Sequence, residues 1–223
     1  MAIDRAEMNY YRNMQKEYYY EEIEEIDLSD KKAYLMIKRV LDILLSSVSL
    51  IVAIPIILIT SIFIKLESKG PAFFKQERSG LNGKSFNIYK LRSMSTDAEK
   101  NGPQWASKDD NRVTKVGKFI RKTRIDELPQ LFNVFKGDMT IFGPRPERPI
   151  FVEQFSKEIP GFDKRTIVKP GLTGWAQVNG GYDISPEDKL KLDLFYIRNM
   201  SLALDFKIML KTVKVVLTGE GAR

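Results

Sequence analysis

Two adjacent carboxylates, Asp126 and Glu127, lie in a cation-rich stretch of this 223-residue chain. Between Arg112 and Arg148 nine Lys or Arg stand against four Asp or Glu, and Gly143-Pro144-Arg145-Pro146-Glu147-Arg148 follows about one helix after the pair. The chain contains no His and no Cys, which removes the usual proton shuttle and thiolate nucleophile. Covalent or acid–base chemistry therefore falls to carboxylates, hydroxyls, Lys or a bound metal. An ionised carboxylate pair ringed by cations suits phosphate chemistry assisted by a divalent metal. Read alone, the pair has a plainer explanation, since Asp is a common N-cap and Glu a common first-turn residue.

The surrounding residues sharpen the first reading. The pattern predicts a helix from Asp126 to Lys136, with Asp126 at the N-cap, Pro129 in the first turn and Gly137 just past the end. A helix N-terminus favours anions, and Arg121, Lys122 and Arg124 act the same way, so the carboxylate pKa is expected to fall. An ionised Asp can both ligate Mg²⁺ and attack phosphorus. Prolines on both sides of Arg145 limit its backbone, which suits a guanidinium that meets phosphate at fixed geometry. Glu147 offers a second metal or sugar contact, although a turn with solvated charges explains the segment as well. Lys90 and Arg92 alternate in strand fashion and put two cations on one face. Lys169-Pro170-Gly171-Leu172-Thr173-Gly174-Trp175 supplies a close-approach backbone and an aromatic. Thr173, Gly174 and Trp175 there would suit a nucleotide base and ribose, and a surface turn with a core Trp fits equally.

The chain is long enough for one sizeable core. Its formal charge is +7, yet residues 1–30 hold nine acids against three bases. The remainder is strongly basic, which suits an anionic membrane face or a phosphorylated substrate. Without Cys or His, disulfides and the usual zinc and haem sites are excluded, and a reducing compartment fits. The first thirty residues are polar and Tyr-rich without a signal-peptide layout. They read as a solvated tail or docked helix, or as a regulatory or oligomer-forming arm.

From Ile43 through Ile64 no residue is charged, a run of 22. As helix it reaches about 33 Å, enough to cross a bilayer core. Pro55 lies in its middle and bends or breaks a helix. Both flanks are basic, with Lys31, Lys32, Lys38 and Arg39 before and Lys65 and Lys69 after, so both ends prefer the cytoplasm. A kinked hairpin entering one leaflet satisfies both facts; a bent single span and a buried soluble helix remain alternatives. Ala72–Glu77 and Ser85–Leu91 read as strands around a turn, residues 95–112 as loop, and Val113–Arg124 as a short basic helix or extended segment. Pro186–Met200 and Leu202–Leu217 read as amphipathic helices, the second with Lys207, Lys211 and Lys214 beside apolar residues, as in a membrane-plane helix.

From about Lys38 to the C-terminus the chain resembles the bacterial sugar transferases of the monotopic polyprenyl-phosphate phosphoglycosyl transferase superfamily. The likeness rests on Lys38-Arg39-Val40-Leu41-Asp42, Gly70-Pro71-Ala72-Phe73-Phe74-Lys75-Gln76-Glu77-Arg78 and Tyr89-Lys90-Leu91-Arg92-Ser93-Met94. Asp126-Glu127-Leu128-Pro129-Gln130-Leu131, Gly143-Pro144-Arg145-Pro146 and Pro170-Gly171-Leu172-Thr173-Gly174-Trp175 complete it. The resemblance implies an α+β, mainly helical fold of the compact form. Its parts would be an N-terminal tail (1–33), a re-entrant membrane helix broken at Pro55 (34–64), and a cytoplasmic catalytic body (65–223) with a small β element and membrane-plane amphipathic helices.

It also implies chemistry. Asp126 would attack the β-phosphorus of a UDP-sugar and expel UMP, and undecaprenyl phosphate would take the sugar phosphate from the aspartyl intermediate, initiating a surface glycan. Mg²⁺ would sit at Asp126 and Glu127, with Arg145 clamping phosphate and Lys90, Arg92, Arg121, Arg124, Glu147, Thr173, Gly174 and Trp175 around the substrate. The expected location is the cytoplasmic face of the bacterial membrane, with inner-membrane lipids as partners, no nucleic acid, and a homodimer left open. Two departures stand out: Ile54 replaces the Ser often found before the proline, and Gly181-Tyr182-Asp183 follow Gly180 where Arg is frequent. Three alternatives are a glycosyltransferase releasing UDP, a non-catalytic basic membrane scaffold and an aspartyl-phosphate hydrolase.

Overall fold

The structure, a computed structural model, describes residues 26–100, 102, 110–180 and 184–218. The expectations for residues 1–25 and for Gly181, Tyr182 and Asp183 lie outside the described residues. The fold is α+β and mainly helical. After a 3₁₀ turn at Ser29–Lys31 comes α1, a 36-residue helix, Lys32–Glu67, long and apolar enough to cross a membrane. Helical backbone is assigned from Lys32 to Glu67 as one element, with Pro55 inside it. A proline removes only one intrahelical hydrogen bond, and Ala53 and Ile57 on either side are packed into the core.

The polarity of α1 is inverted relative to a soluble helix. Lys38, Asp42, Ser46, Leu50, Ala53, Ile57, Thr60 and Ile64 form one buried stripe at three- and four-residue spacing. Val48, Ile51, Val52, Leu58, Ile59, Ile62, Phe63 and Leu66 are exposed. Lys38, Asp42, Ser46 and Thr60 thus face the protein beside four apolar residues, while large apolar groups face outward, the arrangement expected where hydrocarbon replaces water.

Both ends of α1 are tied to one body. Near the start, Lys38 pairs with Asp205 at 2.8 Å, and Asp42 accepts from Thr140 Oγ1 at 2.7 Å and the Ile141 N–H at 2.9 Å. Arg39 donates to the carbonyls of Val134 and Phe135 at 2.7 and 2.8 Å, covering acceptors that a helix end leaves open. At the far end Arg92 donates to the carbonyls of Ser68 and Lys69 at 2.9 and 2.7 Å. Glu67 accepts the N–H groups of Lys115 and Val116 at 2.7 and 3.1 Å, a carboxylate at a helix N-terminus where the dipole favours it.

The body begins with an antiparallel hairpin, β1 (Phe73–Ser79) and β2 (Ser85–Leu91), in register from Phe73 opposite Leu91 to Ser79 opposite Ser85. Its turn bends at Asn82, φ 52°, a left-handed position that Asn tolerates. Helix α2 (Lys115–Lys122) is capped by Thr114, whose hydroxyl accepts the Gly117 N–H at 2.9 Å. Helix α3 (Gln130–Lys136) ends at Gly137, φ 99°, the left-handed stop the sequence predicts. Then come β3 (Thr140–Phe142), α4 (Pro149–Glu158), β4 (Gly171–Thr173), α5 (Trp175–Asn179), α6 (Pro186–Arg198) and α7 (Leu202–Thr218). Strands β3 and β4 pair in parallel, an element the sequence reading lacks.

One core cluster joins Leu50, Ala53, Ile57 and Ile64 of α1 to Leu91, Ile120 and Leu131 of the body. A second gathers Phe162, Leu190, Leu194, Tyr196, Ile197 and Ile208 under α6 and α7. The candidate site lies on the strands and turns between them.

Candidate active site

The carboxylate pair sits in a tight connection rather than on a helix cap. Arg124 adopts φ 57°, uncommon for a residue with a Cβ, and Ile125–Glu127 form a 3₁₀ turn before α3 begins at Gln130. The prediction of Asp126 as N-cap is therefore corrected: Pro129 occupies that position. Asn133 of α3 fixes the turn to β2. Its side chain accepts from the Tyr89 N–H at 3.1 Å and donates to Asn87 O at 2.8 Å. That strap brings Lys90 of β2 to Glu127 Oε1 at 2.8 Å.

Glu127 is fully engaged. Arg145 reaches Oε1 through Nη2 and Oε2 through Nη1, and Lys90 shares Oε1. Burial alone would raise its pKa, but Arg145 and Lys90 hold it well below the ordinary range. Asp126 is 8 % exposed, and among the described residues no donor is hydrogen-bonded to its carboxylate. Burial pushes its pKa up to about 6, assisted by the adjacent Glu127 charge, while Lys90, Arg121 and Arg145 oppose the rise. The expected lowering at Asp126 is thus reversed, because loss of water outweighs the nearby cations. Two neighbouring carboxylates are driven apart, one locked as an anion and the other poised and unpartnered.

The remaining predicted residues divide. Lys90 and Arg145 stand at the pair, and Arg121 is close enough to act on Asp126. Arg124 contributes through its backbone, shaping the turn. Arg92 does not join Lys90: it is buried and caps the C-terminus of α1. Glu147 is surrounded by Arg78 at 3.6 Å, Arg165 at 3.7 Å and Lys189, which hold its pKa down to about 2 despite burial. Its carboxylate is spent on the protein.

Thr173, Gly174 and Trp175 form contacts within the protein. The Thr173 hydroxyl meets that of Thr212 at 2.8 Å, tying β4 to α7. A Cβ on Gly174 would lie 2.0 Å from the Gly143 carbonyl oxygen, so the close approach this glycine permits is to the chain's own Gly143-Pro144 segment. Trp175 stacks on Phe195 with centroids 5.5 Å apart, and Lys207 and Lys211 lie 5.3 and 5.0 Å from its ring. Sequence reasoning missed Asn133, Arg165 and Asp193, which carry no local motif.

A sequence profile of the bacterial sugar transferases matches residues 33–219. The chain belongs to the bacterial sugar transferase family. This sugar transferase is 51% identical over 193 residues to a UDP-N-acetylgalactosamine-undecaprenyl-phosphate N-acetylgalactosaminephosphotransferase of Aeromonas hydrophila, covering 85% of this chain and 46% of that protein. A Bacillus subtilis (strain 168) protein, provisionally named an undecaprenyl-phosphate N-acetylgalactosaminyl 1-phosphate transferase, is 57% identical over 154 residues, covering 69% of this chain and 86% of that one. A UDP-glucose:undecaprenyl-phosphate glucose-1-phosphate transferase of Klebsiella pneumoniae is 44% identical over 184 residues, covering 80% and 40%. The sugar transferase thus spans under half the length of the Aeromonas and Klebsiella relatives and most of the Bacillus one.

Proposed function

We propose that this sugar transferase moves a sugar 1-phosphate from a UDP-sugar to undecaprenyl phosphate and releases UMP. The observation that carries the reading is Asp126: a buried carboxylate with no donor on it, facing cations, in a protein whose first helix turns its apolar side outward. In the first step an Asp126 oxygen attacks the β-phosphorus, the bond from that phosphorus to the bridging oxygen breaks, and UMP leaves with the electron pair. In the second, an oxygen of the lipid phosphate attacks the same phosphorus and the Asp126 carboxylate departs. An Asp126 free of hydrogen bonds keeps its lone pairs available for attack. Glu127 holds Lys90 and Arg145 where they can meet the charge spread over the phosphoryl oxygens.

A divalent cation fits this site. Asp126 presents a hard oxygen that no protein donor occupies, whereas the Glu127 oxygens are taken by Arg145 and Lys90, so Asp126 is the better ligand of the two. Among the described residues no group of three or more His, Cys, Asp or Glu could enclose a metal. That leaves most positions to water and phosphate, the usual habit of Mg²⁺. When bound, Mg²⁺ would neutralise pyrophosphate charge. The names of the two most identical relatives above make UDP-N-acetylgalactosamine the first donor to test.

A monotopic, re-entrant placement is part of the proposal. It is supported by the attachment of both ends of α1 to one body, which argues against ends on opposite sides of a bilayer. Exposed Phe119, Phe132, Phe135, Phe206 and Leu210 extend the apolar surface beyond α1, and the exposed Leu202, Phe206, Leu210 and Val213 give α7 a stripe suited to the membrane plane. The basic flanks of α1 favour the cytoplasmic leaflet. The test is nucleotide release by nanodisc-held protein over a panel of UDP-sugars with Mg²⁺ and undecaprenyl phosphate. UMP from one donor, abolished by Asp126→Asn, is the expected result; UDP as product overturns the mechanism.

A further inference from the structure

Four successive carbonyls of Pro144-Arg145-Pro146-Glu147 are each held by a different residue. The Gly171 N–H donates to Pro144 O at 2.8 Å and Arg165 Nη2 to Arg145 O at 2.9 Å. Arg78 Nη1 donates to Pro146 O at 3.2 Å and the Ser79 N–H to Glu147 O at 2.8 Å. The two prolines have no N–H to contribute, so the path of this segment depends on the groups that grip its carbonyls.

The grip on Arg145 is backed by two deeply buried side chains. Arg165 is 3 % exposed and Asp193, on α6, 1 %. Asp193 Oδ2 accepts from Arg165 Nε at 3.0 Å and Nη2 at 2.5 Å, and the same Nη2 reaches Arg145 O. Asp193 therefore holds the guanidinium plane that meets the Arg145 backbone, and α6 acts on Arg145 through Arg165. A buried ion pair gives little net stability compared with an apolar pair of like volume. Its directional hydrogen bonds do fix an orientation that an apolar pair would leave loose.

We propose that Asp193 is a positioning residue. Through Arg165 it sets the backbone at Arg145, and with it the reach of the Arg145 guanidinium to Glu127 and to the donor's phosphates. The inference rests on the reading of Arg145 as a phosphate clamp.

The experiment uses the full chain in nanodiscs and compares UMP release by Asp193→Asn, Arg145→Ala and the double variant. Asp193→Asn is expected to lower kcat about 10- to 100-fold, as a displacement near 1 Å does, with KM for the UDP-sugar changed less than about 3-fold. In the Arg145→Ala background the same change should add less than about 2-fold. Losses that multiply independently overturn the inference. So does a normal kcat in folded Asp193→Asn that shows only a lower melting temperature. Arg165→Lys is the second variant: it keeps the charge beside Asp193 but lacks the fork, and the same kcat loss is expected, so the question stands if Asp193→Asn does not fold. Full turnover by Arg145→Ala would remove the clamp reading itself and the inference with it, a result distinct from additivity.

Discussion

Two charged clusters lie along the same short stretch of chain, and they are built differently. Around Glu147, the cations Arg78, Arg165 and Lys189 close on one carboxylate, and Asp193 takes two hydrogen bonds from Arg165. Around Glu127, Lys90 and Arg145 satisfy one carboxylate and leave its neighbour Asp126 without a donor. Similar residue types thus give a scaffold in one place and a reactive group in the other. What separates them is hydrogen bonding within the protein: one carboxylate is saturated by cations, and the Asp126 oxygens take no donor from the described residues and are not among the sealed, unpartnered atoms, so they are open to a ligand.

The strongest way to break this comparison is Asp126→Asn. Turnover should fall by about 10⁴-fold or more. Folding stability at neutral pH should hold or rise, because a charge that desolvation disfavours is removed. A melting curve beside the UMP assay separates the two effects; a large loss of stability would place Asp126 with the scaffold. Next, Arg145→Lys keeps the charge but loses the bidentate fork on Glu127, and kcat/KM should drop about 10²- to 10³-fold. Glu147→Gln should act the other way round. It strands three cations, so stability should fall by about 3–5 kcal/mol in denaturant titrations, with a smaller loss of turnover per folded molecule than Arg145→Lys gives.

The acidity of Asp126 predicts opposite pH trends for activity and stability. Its folded pKa, about 6, lies above the ordinary 3.8, so the fold favours the protonated form. That contribution to stability is fully present below about pH 4 and is lost as pH rises through 6. Activity needs the anion and should fall about tenfold per pH unit below 6. Denaturation of wild type and Asp126→Asn across pH 4–8 in chelator, beside UMP release with Mg²⁺, checks both, and bound Mg²⁺ should move the activity limb lower. The smallest effect is expected at Trp175. Already stacked between Phe195 and two lysines, it should give a KM within about 2-fold as Trp175→Phe, with about 1 kcal/mol of stability lost. A tenfold rise in KM would return the ring to the nucleotide.

Local chemistry was legible in the sequence wherever it was written within a few residues. The uncharged run Ile43–Ile64, the hairpin strands, the Gly137 stop and the C-terminal helices all follow from short-range pattern, and each is present. The Asp126-Glu127 pair and its partners Lys90 and Arg145 were also recognisable from residue type. The parallel pairing of β3 with β4 was not, because Thr140–Phe142 and Gly171–Thr173 are three residues each and their partners lie 31 positions apart. Nor was the separation of Arg92 from Lys90, which depends on where the carbonyls of Ser68 and Lys69 come to rest.

The sequence by itself determined that an apolar helix precedes a basic body and that its chemistry falls to carboxylates, hydroxyls, Lys or a bound metal, since His and Cys are missing. Only the tertiary structure decided which carboxylate is free. Asp126 and Glu127 are neighbours with nearly the same chemistry, and a 3₁₀ turn strapped to β2 by Asn133 turns one toward Lys90 and Arg145 and leaves the other without them. A pKa answers to burial and to charges brought near in space, and both are set by contacts between residues far apart in the chain.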